Sequence, residues 1–143
     1  MAKSILLEVI TPSKLFYKGE IELVICRTLD GDEGFMAGHT WACKLLDVGE
    51  LWIKEVGAKD FRIAALAKGY VDVKDVIVIY TDAAEWSTEI DKDKAMSEKE
   101  RAEHWLARPH TQEEANDVMR AKIAIAKSIT RMNVAEGGQR RKK

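Results

Sequence analysis

Hydrophobic and polar positions change their rhythm once along this chain, close to residue 86. Up to that point, short stretches rich in β-branched and aromatic residues recur at 5–10, 20–27, 50–54, 60–66, 69–73 and 76–80. Several alternate with a period of two: Ile21, Leu23 and Ile25 are set to face one way, with Glu20, Glu22 and Val24 facing the other. Thr11-Pro12-Ser13, residues 29–34, Val56-Gly57-Ala58 and Lys74-Asp75 supply turns between the stretches. A spacing of about ten residues predicts an antiparallel sandwich or flattened barrel, not alternating β and α units.

Beyond residue 86 the period becomes helical. Residues 91–107 contain no Gly or Pro and are strong helix formers. Pro109 ends that run, since it cannot continue a helix and restrains the residue before it. Thr111-Gln112-Glu113-Glu114 has the spacing of a capping box, which starts a second helix reaching to about Ala135, with Gly137-Gly138 as its stop. So short a connection predicts an antiparallel hairpin. Its apolar surface is thin. The first helix offers Ala95, Ala102 and Leu106 with Met96 and Trp105 beside them; the second offers Val118, Ala121, Ile125, Ile129 and Met132. At about 25 cal/mol per Å² such a surface docks weakly. The periodicity fits a hairpin fixed on the sandwich and equally one that detaches from it.

Composition sharpens the division. The 143 residues are 46% hydrophobic and 33% charged, enough to bury a core and unlike a disordered chain. The formal net charge of -1 argues against a dedicated nucleic-acid binder. Residues 1–86 carry 10 Lys/Arg against 14 Asp/Glu, whereas residues 87–143 carry 13 against 10. All three Phe, all three Tyr and seven of nine Gly fall in the first part. The expected layout is therefore α+β: an N-terminal antiparallel β-sandwich over 1–86, a C-terminal antiparallel two-helix hairpin over 87–138, and a basic tail over 139–143. No apolar run approaches the roughly 18 residues of a membrane span, and the start is too short for a signal peptide. Cys26 and Cys43, without a C-x-x-C, suit a reducing compartment. The expectation is a soluble cytoplasmic protein.

Catalytic chemistry is hard to assemble from these residues. His104 and His110 are six apart, with no H-E-x-x-H pattern, and read as ordinary exposed histidines. Cys43 lacks an evident His partner. Asp30-Gly31-Asp32-Glu33-Gly34 begins like a calcium loop, but Phe35 and Trp41 stand where Gly and Glu are required. There is no P-loop and no G-x-G-x-x-G. The chain is not expected to be an enzyme by itself, nor to need a metal.

From Gly31 to Thr40 (Gly-Asp-Glu-Gly-Phe-Met-Ala-Gly-His-Thr) the sequence resembles the ε subunit of bacterial F-type ATP synthases. The resemblance continues through Gly49-Glu50-Leu51-Trp52-Ile53, like the family's P-G-E-L-x-I, and through Ala67-Lys68-Gly69-Tyr70-Val71-Asp72-Val73, like S-G-G-F-x-E-V. Residues 76–85 resemble V-T-V-L-A-D-x-A-E, and Ile90-Asp91 and Arg101-Ala102-Glu103 follow in the family's order. The chain departs from that pattern at Ala37, usually proline, at Lys68, usually glycine, and at Trp41-Ala42-Cys43-Lys44, usually more apolar.

This resemblance implies a non-catalytic rotor part of the central stalk, peripheral to the cytoplasmic face of a bacterial membrane. Its sandwich would bind the γ subunit and sit on the c-ring, coupling ion translocation to ATP synthesis in the α/β hexamer. By position, Asp32 and Glu33 would lie on the turn meeting the c-ring, and His39 near the γ contact. The hairpin would move between a compact state and an extended one that inhibits ATP hydrolysis, with Lys122, Lys127 and Arg131 meeting acidic surfaces of α and β. Some relatives bind regulatory ATP in the compact state through I-D-x-x-R-A. The matching residues here are Glu85, Ile90, Asp91, Lys94, Arg101, Lys127 and Arg131, with Lys94 and Lys127 replacing arginines. Lysine keeps the charge but loses the bidentate fork, which weakens phosphate binding. The alternatives are solvated helix charges for these residues, and for the whole chain a stand-alone ATP-sensing module whose hairpin closes over nucleotide.

Overall fold

The structure, a computed structural model, describes residues 3–138. The basic tail over 139–143 lies outside the described residues. Nine strands come first: β1 (Ile5–Ile10), β2 (Leu15–Thr28), β3 (Gly31–Phe35), β4 (Ala42–Leu46), β5 (Gly49–Glu55), β6 (Arg62–Leu66), β7 (Gly69–Val73), β8 (Ile77–Thr81) and β9 (Ala84–Trp86). A 3-10 turn at Ser87–Glu89 leads to α1 (Lys92–Leu106), and a second at Gln112–Glu114 leads to α2 (Ala115–Ala135). The sandwich-then-hairpin order matches the sequence expectation.

One layer runs β1-β8-β7-β4 and the other β2-β5-β6-β9, with β3 paired to β2. The long β2 joins them, because its first half pairs with β1 and its second half with β3 and β5. All neighbours are antiparallel except β1 and β8, which run parallel. Between the layers lies one core built on Leu7, Ile21, Val24, Phe35, Leu51, Ile53, Val71, Ile77 and Ile79, each fully buried.

The expected alternation of Ile21, Leu23 and Ile25 does not hold. Opposite the single step from Glu55 to Lys54, β2 advances two residues from Ile21 to Leu23. That bulge reverses which side chains face the core. Val24 and Cys26 are therefore buried with Ile21, and Ile25 turns to the outer face. Three strands lack a signal strong enough to be expected: β3, whose Gly-Asp-Glu-Gly composition reads as turn, and the short β4 and β9.

The outer face of β5 and β6 is covered by the end of α2. Trp52, Ile63 and Ala65 pack there with Val134, and Ile25, Phe61 and Ile90 close the edges. This is why β5 reads as a continuous apolar run: Leu51 and Ile53 face the main core while Trp52 faces the helix. The principal partner of α1 is α2, so the hairpin reaches the sandwich chiefly through one end of one helix.

Candidate functional site

The seven residues singled out for nucleotide fall into four different situations. Arg131, on α2, is the centre of an ion-pair cluster. Its Nε lies 2.7 Å from Glu85 Oε1, its Nη2 donates to Glu85 Oε2 at 3.3 Å, and its Nη1 donates to Glu98 Oε2 at 3.2 Å. The three residues come from β9, α1 and α2, so one guanidinium ties together the sandwich and both helices. Only 17% of the Arg131 side chain is exposed, and its buried Nε has no aligned hydrogen bond despite the close carboxylate.

Lys127 is on the same helix, one turn before Arg131. With Glu85, Thr130 and the alanines of β6 and β9 it lines a cavity of about 40 Å³, room for a water molecule and not for a nucleotide. Arg101 lies apart from this pair. It opens onto a groove of about 590 Å³ between the helices, shared with Glu98, Trp105 and Asp117. Lys94 is exposed near the start of α1. Ile90 and Asp91 serve the fold: Ile90 packs against the Trp52 cluster, and Asp91 is the N-cap of α1, its Oδ1 accepting from the Lys94 amide at 3.1 Å. The structure thus brings Glu85, Lys127 and Arg131 together, and sets Arg101 in the adjoining groove.

Glu98 is the residue that sequence reasoning missed. Its spacing of three and four from Arg101, Lys94 and Ala95 places it on their face of the helix, which was the available signal. A second clasp, Lys92 to Glu136, joins the start of α1 to the end of α2.

The far end of the hairpin is also built. His110 is not an ordinary exposed histidine. Its ring stacks on Trp105 with centroids 4.0 Å apart, Nε2 donates to the Trp105 carbonyl at 2.9 Å, and Nδ1 lies 3.4 Å from Glu114 Oε2. Glu114 Oε1 also accepts from the Thr111 amide at 3.2 Å, the reciprocal half of the expected capping box. The Thr111 amide, together with His110, holds the Glu114 carboxyl below the usual carboxylate range.

Asp32 and Glu33 sit on a strand and not on a turn. The turn is the pair Leu29-Asp30, with Gly31 following it at φ +112°. Asp32 lies directly across from Arg27 and accepts from its Nε at 3.2 Å. Glu33 accepts from Lys44 Nζ at 2.5 Å and from the Thr28 hydroxyl at 2.7 Å. Lys44 and then Thr28 hold the Glu33 carboxyl low, and Glu33 raises the Lys44 ammonium in return. His39 lies further on, its ring edge against Phe35 and its Nδ1 donating to the Thr40 carbonyl at 2.6 Å.

On the outer face of the first layer the strand registers align an apolar row. Leu45 pairs with Tyr70, Tyr70 with Tyr80, Tyr80 with Ile10, and Ile10 with Leu15. Paired residues share a face, and Leu15, Leu45, Tyr70 and Tyr80 are all exposed. The two tyrosine rings stack with centroids 4.8 Å apart. Leu29, bonded through its amide to the Leu45 carbonyl, extends the row toward the β2–β3 turn. The hairpin covers the opposite outer face and leaves this row open.

Among the described residues, no helix is long and apolar enough to cross a membrane, and no cluster of His, Cys, Asp and Glu forms a metal site.

Comparison with known proteins gives a consistent result. The model of the ATP synthase Delta/Epsilon chain beta-sandwich domain matches residues 4–87, and that of the Delta/Epsilon chain long alpha-helix domain matches 88–136. The ATP synthase epsilon chain of Caldicellulosiruptor saccharolyticus is 37% identical over 131 residues, covering 91% of this chain and 92% of that one. The epsilon chain of Bacillus pumilus is 33% identical over 134 residues, covering 93% and 98%. Among solved structures, a chain of the Euglena gracilis mitochondrial ATP synthase shares the fold with a TM-score of 0.75 at 24% identity, over 86% of this chain and 76% of that one.

Proposed function

This chain belongs to the Delta/Epsilon chain family of ATP synthases, and from that premise we propose that it is a rotor subunit of the central stalk with a self-regulating hairpin. In this reading the sandwich anchors the chain on the γ subunit and the c-ring, at the cytoplasmic face of the membrane. It transmits rotation between ion translocation and the α/β hexamer and catalyses nothing itself. The observation that carries the anchoring role is the apolar row of Leu45, Tyr70, Tyr80 and Ile10 across four neighbouring strands. A contiguous exposed apolar strip on a folded domain marks a protein contact. Aromatic residues at the centre of such a strip supply most of the binding energy. The γ subunit is assigned to this strip, and the end bearing Leu29 and the Asp32–Glu33 strand to the c-ring.

The hairpin is the regulatory part. Its anchorage through Val134, Ile90 and the Arg131 cluster is small beside the sandwich core, so release costs little compared with unfolding. Once released, the basic residues Lys122, Lys127 and Arg131 are free to meet acidic surfaces of α and β and block hydrolysis. Regulatory ATP, bound by Lys127, Arg131 and Arg101, would favour the compact state by mass action. A nucleotide does not fit the closed cavity, so its binding requires Arg131 and Lys127 to turn toward the helical groove where Arg101 lies.

The test is reconstitution with γ and the α/β hexamer. Tyr70→Ser combined with Tyr80→Ser should weaken association with γ by tenfold or more, about the loss expected on removing two anchors. Deletion of 88–143 should leave association intact and raise ATP hydrolysis. Undiminished association of the double tyrosine variant rejects the anchoring face. Unchanged hydrolysis after the deletion rejects the inhibitory hairpin.

A further inference from the structure

Arg131 carries a largely buried guanidinium, tied on the sandwich side to Glu85. Glu98 stands between that guanidinium and the groove of about 590 Å³ that runs between the helices. Its carboxylate accepts from Arg131 Nη1 at 3.2 Å, and it also lines the interhelical groove with Arg101. Behind Arg131, on the sandwich side, lie the 40 Å³ cavity and Glu85. An anion entering along the groove therefore meets a carboxylate before it meets Arg131. Like charges at that distance repel, and the site has to give up one ion pair to gain another.

We propose that Glu98 is an internal latch: it holds α1 to Arg131 without a ligand, and it competes with phosphate for the same guanidinium. The inference rests on the nucleotide reading above for its second half only. It goes further by naming the residue that sets the threshold. Glu85 fixes Arg131 to the sandwich, whereas Glu98 fixes it to α1, so the two carboxylates have separable roles. Loss of Glu98 frees α1 from the junction while the Glu85 contact keeps α2 docked. In the free state α1 then opens locally beside a docked α2, and ATP meets a guanidinium with no carboxylate on its groove side. Lys127 lies one turn away to share the phosphate charge, and the neighbouring cations Lys92 and Lys94 are held by Glu136 or face solvent.

Glu98→Gln in the full chain tests this, with Glu100→Gln on the exposed side of α1 as the control. Two quantities are read: hydrogen exchange of the α1 amides without nucleotide, and ATP affinity by calorimetry. The variant should exchange several-fold faster in α1 and bind ATP about three- to tenfold more tightly, the scale set by one partly exposed ion pair plus one removed charge. The control should change neither. Exchange and affinity both equal to the parent chain overturn the proposal. If neither protein binds millimolar ATP but α1 exchange rises in Glu98→Gln, the nucleotide reading falls and the latch is supported. If ATP binds both proteins equally and only exchange rises, the competition is overturned.

Discussion

Gly138 lies directly against Trp52: a Cβ built there would sit 2.6 Å from Trp52 Cζ2 and 2.7 Å from Glu50 Oε1. Its backbone is also in the left-handed region, at φ +77°. This glycine, two residues past the C-cap of α2, thus sets how closely the end of the hairpin approaches the outer face of the sandwich. Gly138→Ala adds both a clash and about 1–2 kcal/mol of backbone strain. The expected result is faster hydrogen exchange in α2 and a red-shifted tryptophan emission, with unchanged unfolding of the sandwich.

Val134 is fully buried in the second cluster, which is separate from the core between the sheets. Val134→Ala removes two methyl groups from the docking surface at a cost on the order of 1–3 kcal/mol. The hairpin should become susceptible to protease while the thermal midpoint of the sandwich barely moves. A shared loss of both would mean that the two parts unfold as one unit.

Gly69 answers a different constraint. A Cβ there would fall 1.8 Å from the Tyr80 carbonyl oxygen, so the backbone of β8 leaves no space for any side chain. Gly69→Ala must push β7 and β8 apart and should cost about 3 kcal/mol or more, visible as a lowered urea midpoint. Because the same two strands carry Tyr70 and Tyr80, the proposed contact with γ should weaken with it.

The helical hairpin was legible because its signals are local. Pro109, the Thr111–Glu114 box and the double glycine each act within a few residues, and all three appear where the spacing put them. The bulge at Glu22 was not legible, since nothing in 20–25 announces that two residues of β2 will oppose one step of β5. β3 was missed for a related reason. Its acidic, glycine-rich residues are held extended by Arg27, Thr28 and Lys44, partners in other strands. Of the candidate nucleotide residues, the motifs of the family resemblance picked out those that share a junction, Glu85, Lys127 and Arg131. They did not reveal that Asp91 is spent on a helix cap or that Glu98 already occupies Arg131.

The cap role of Asp91 leads to a practical distinction. Asp91→Ala should destabilise α1 by about 1 kcal/mol even without nucleotide. Asp91→Ser restores a capping oxygen and should recover that helix, as measured by amide exchange at the start of α1. Any ATP binding that Asp91→Ser fails to recover then belongs to the carboxylate itself.

The Glu33–Lys44 pair gives the sandwich a pH-dependent element at the end proposed to meet the c-ring. Its carboxyl is held below the ordinary value by the ammonium and the Thr28 hydroxyl. A lowered folded-state value means that the stabilisation is fully present above the ordinary carboxylate range and is lost as pH falls through the folded value. The raised value of Lys44 sets the other limit, in the alkaline range where the ammonium deprotonates. Glu33→Gln should therefore lower the thermal midpoint at pH 7 and match the parent chain once pH has dropped well below the carboxylate range. Both groups are substantially exposed, so added salt should shrink the difference at pH 7. A gap between the two proteins that persisted unchanged into strong acid would assign the effect of Glu33 to packing, and not to its charge.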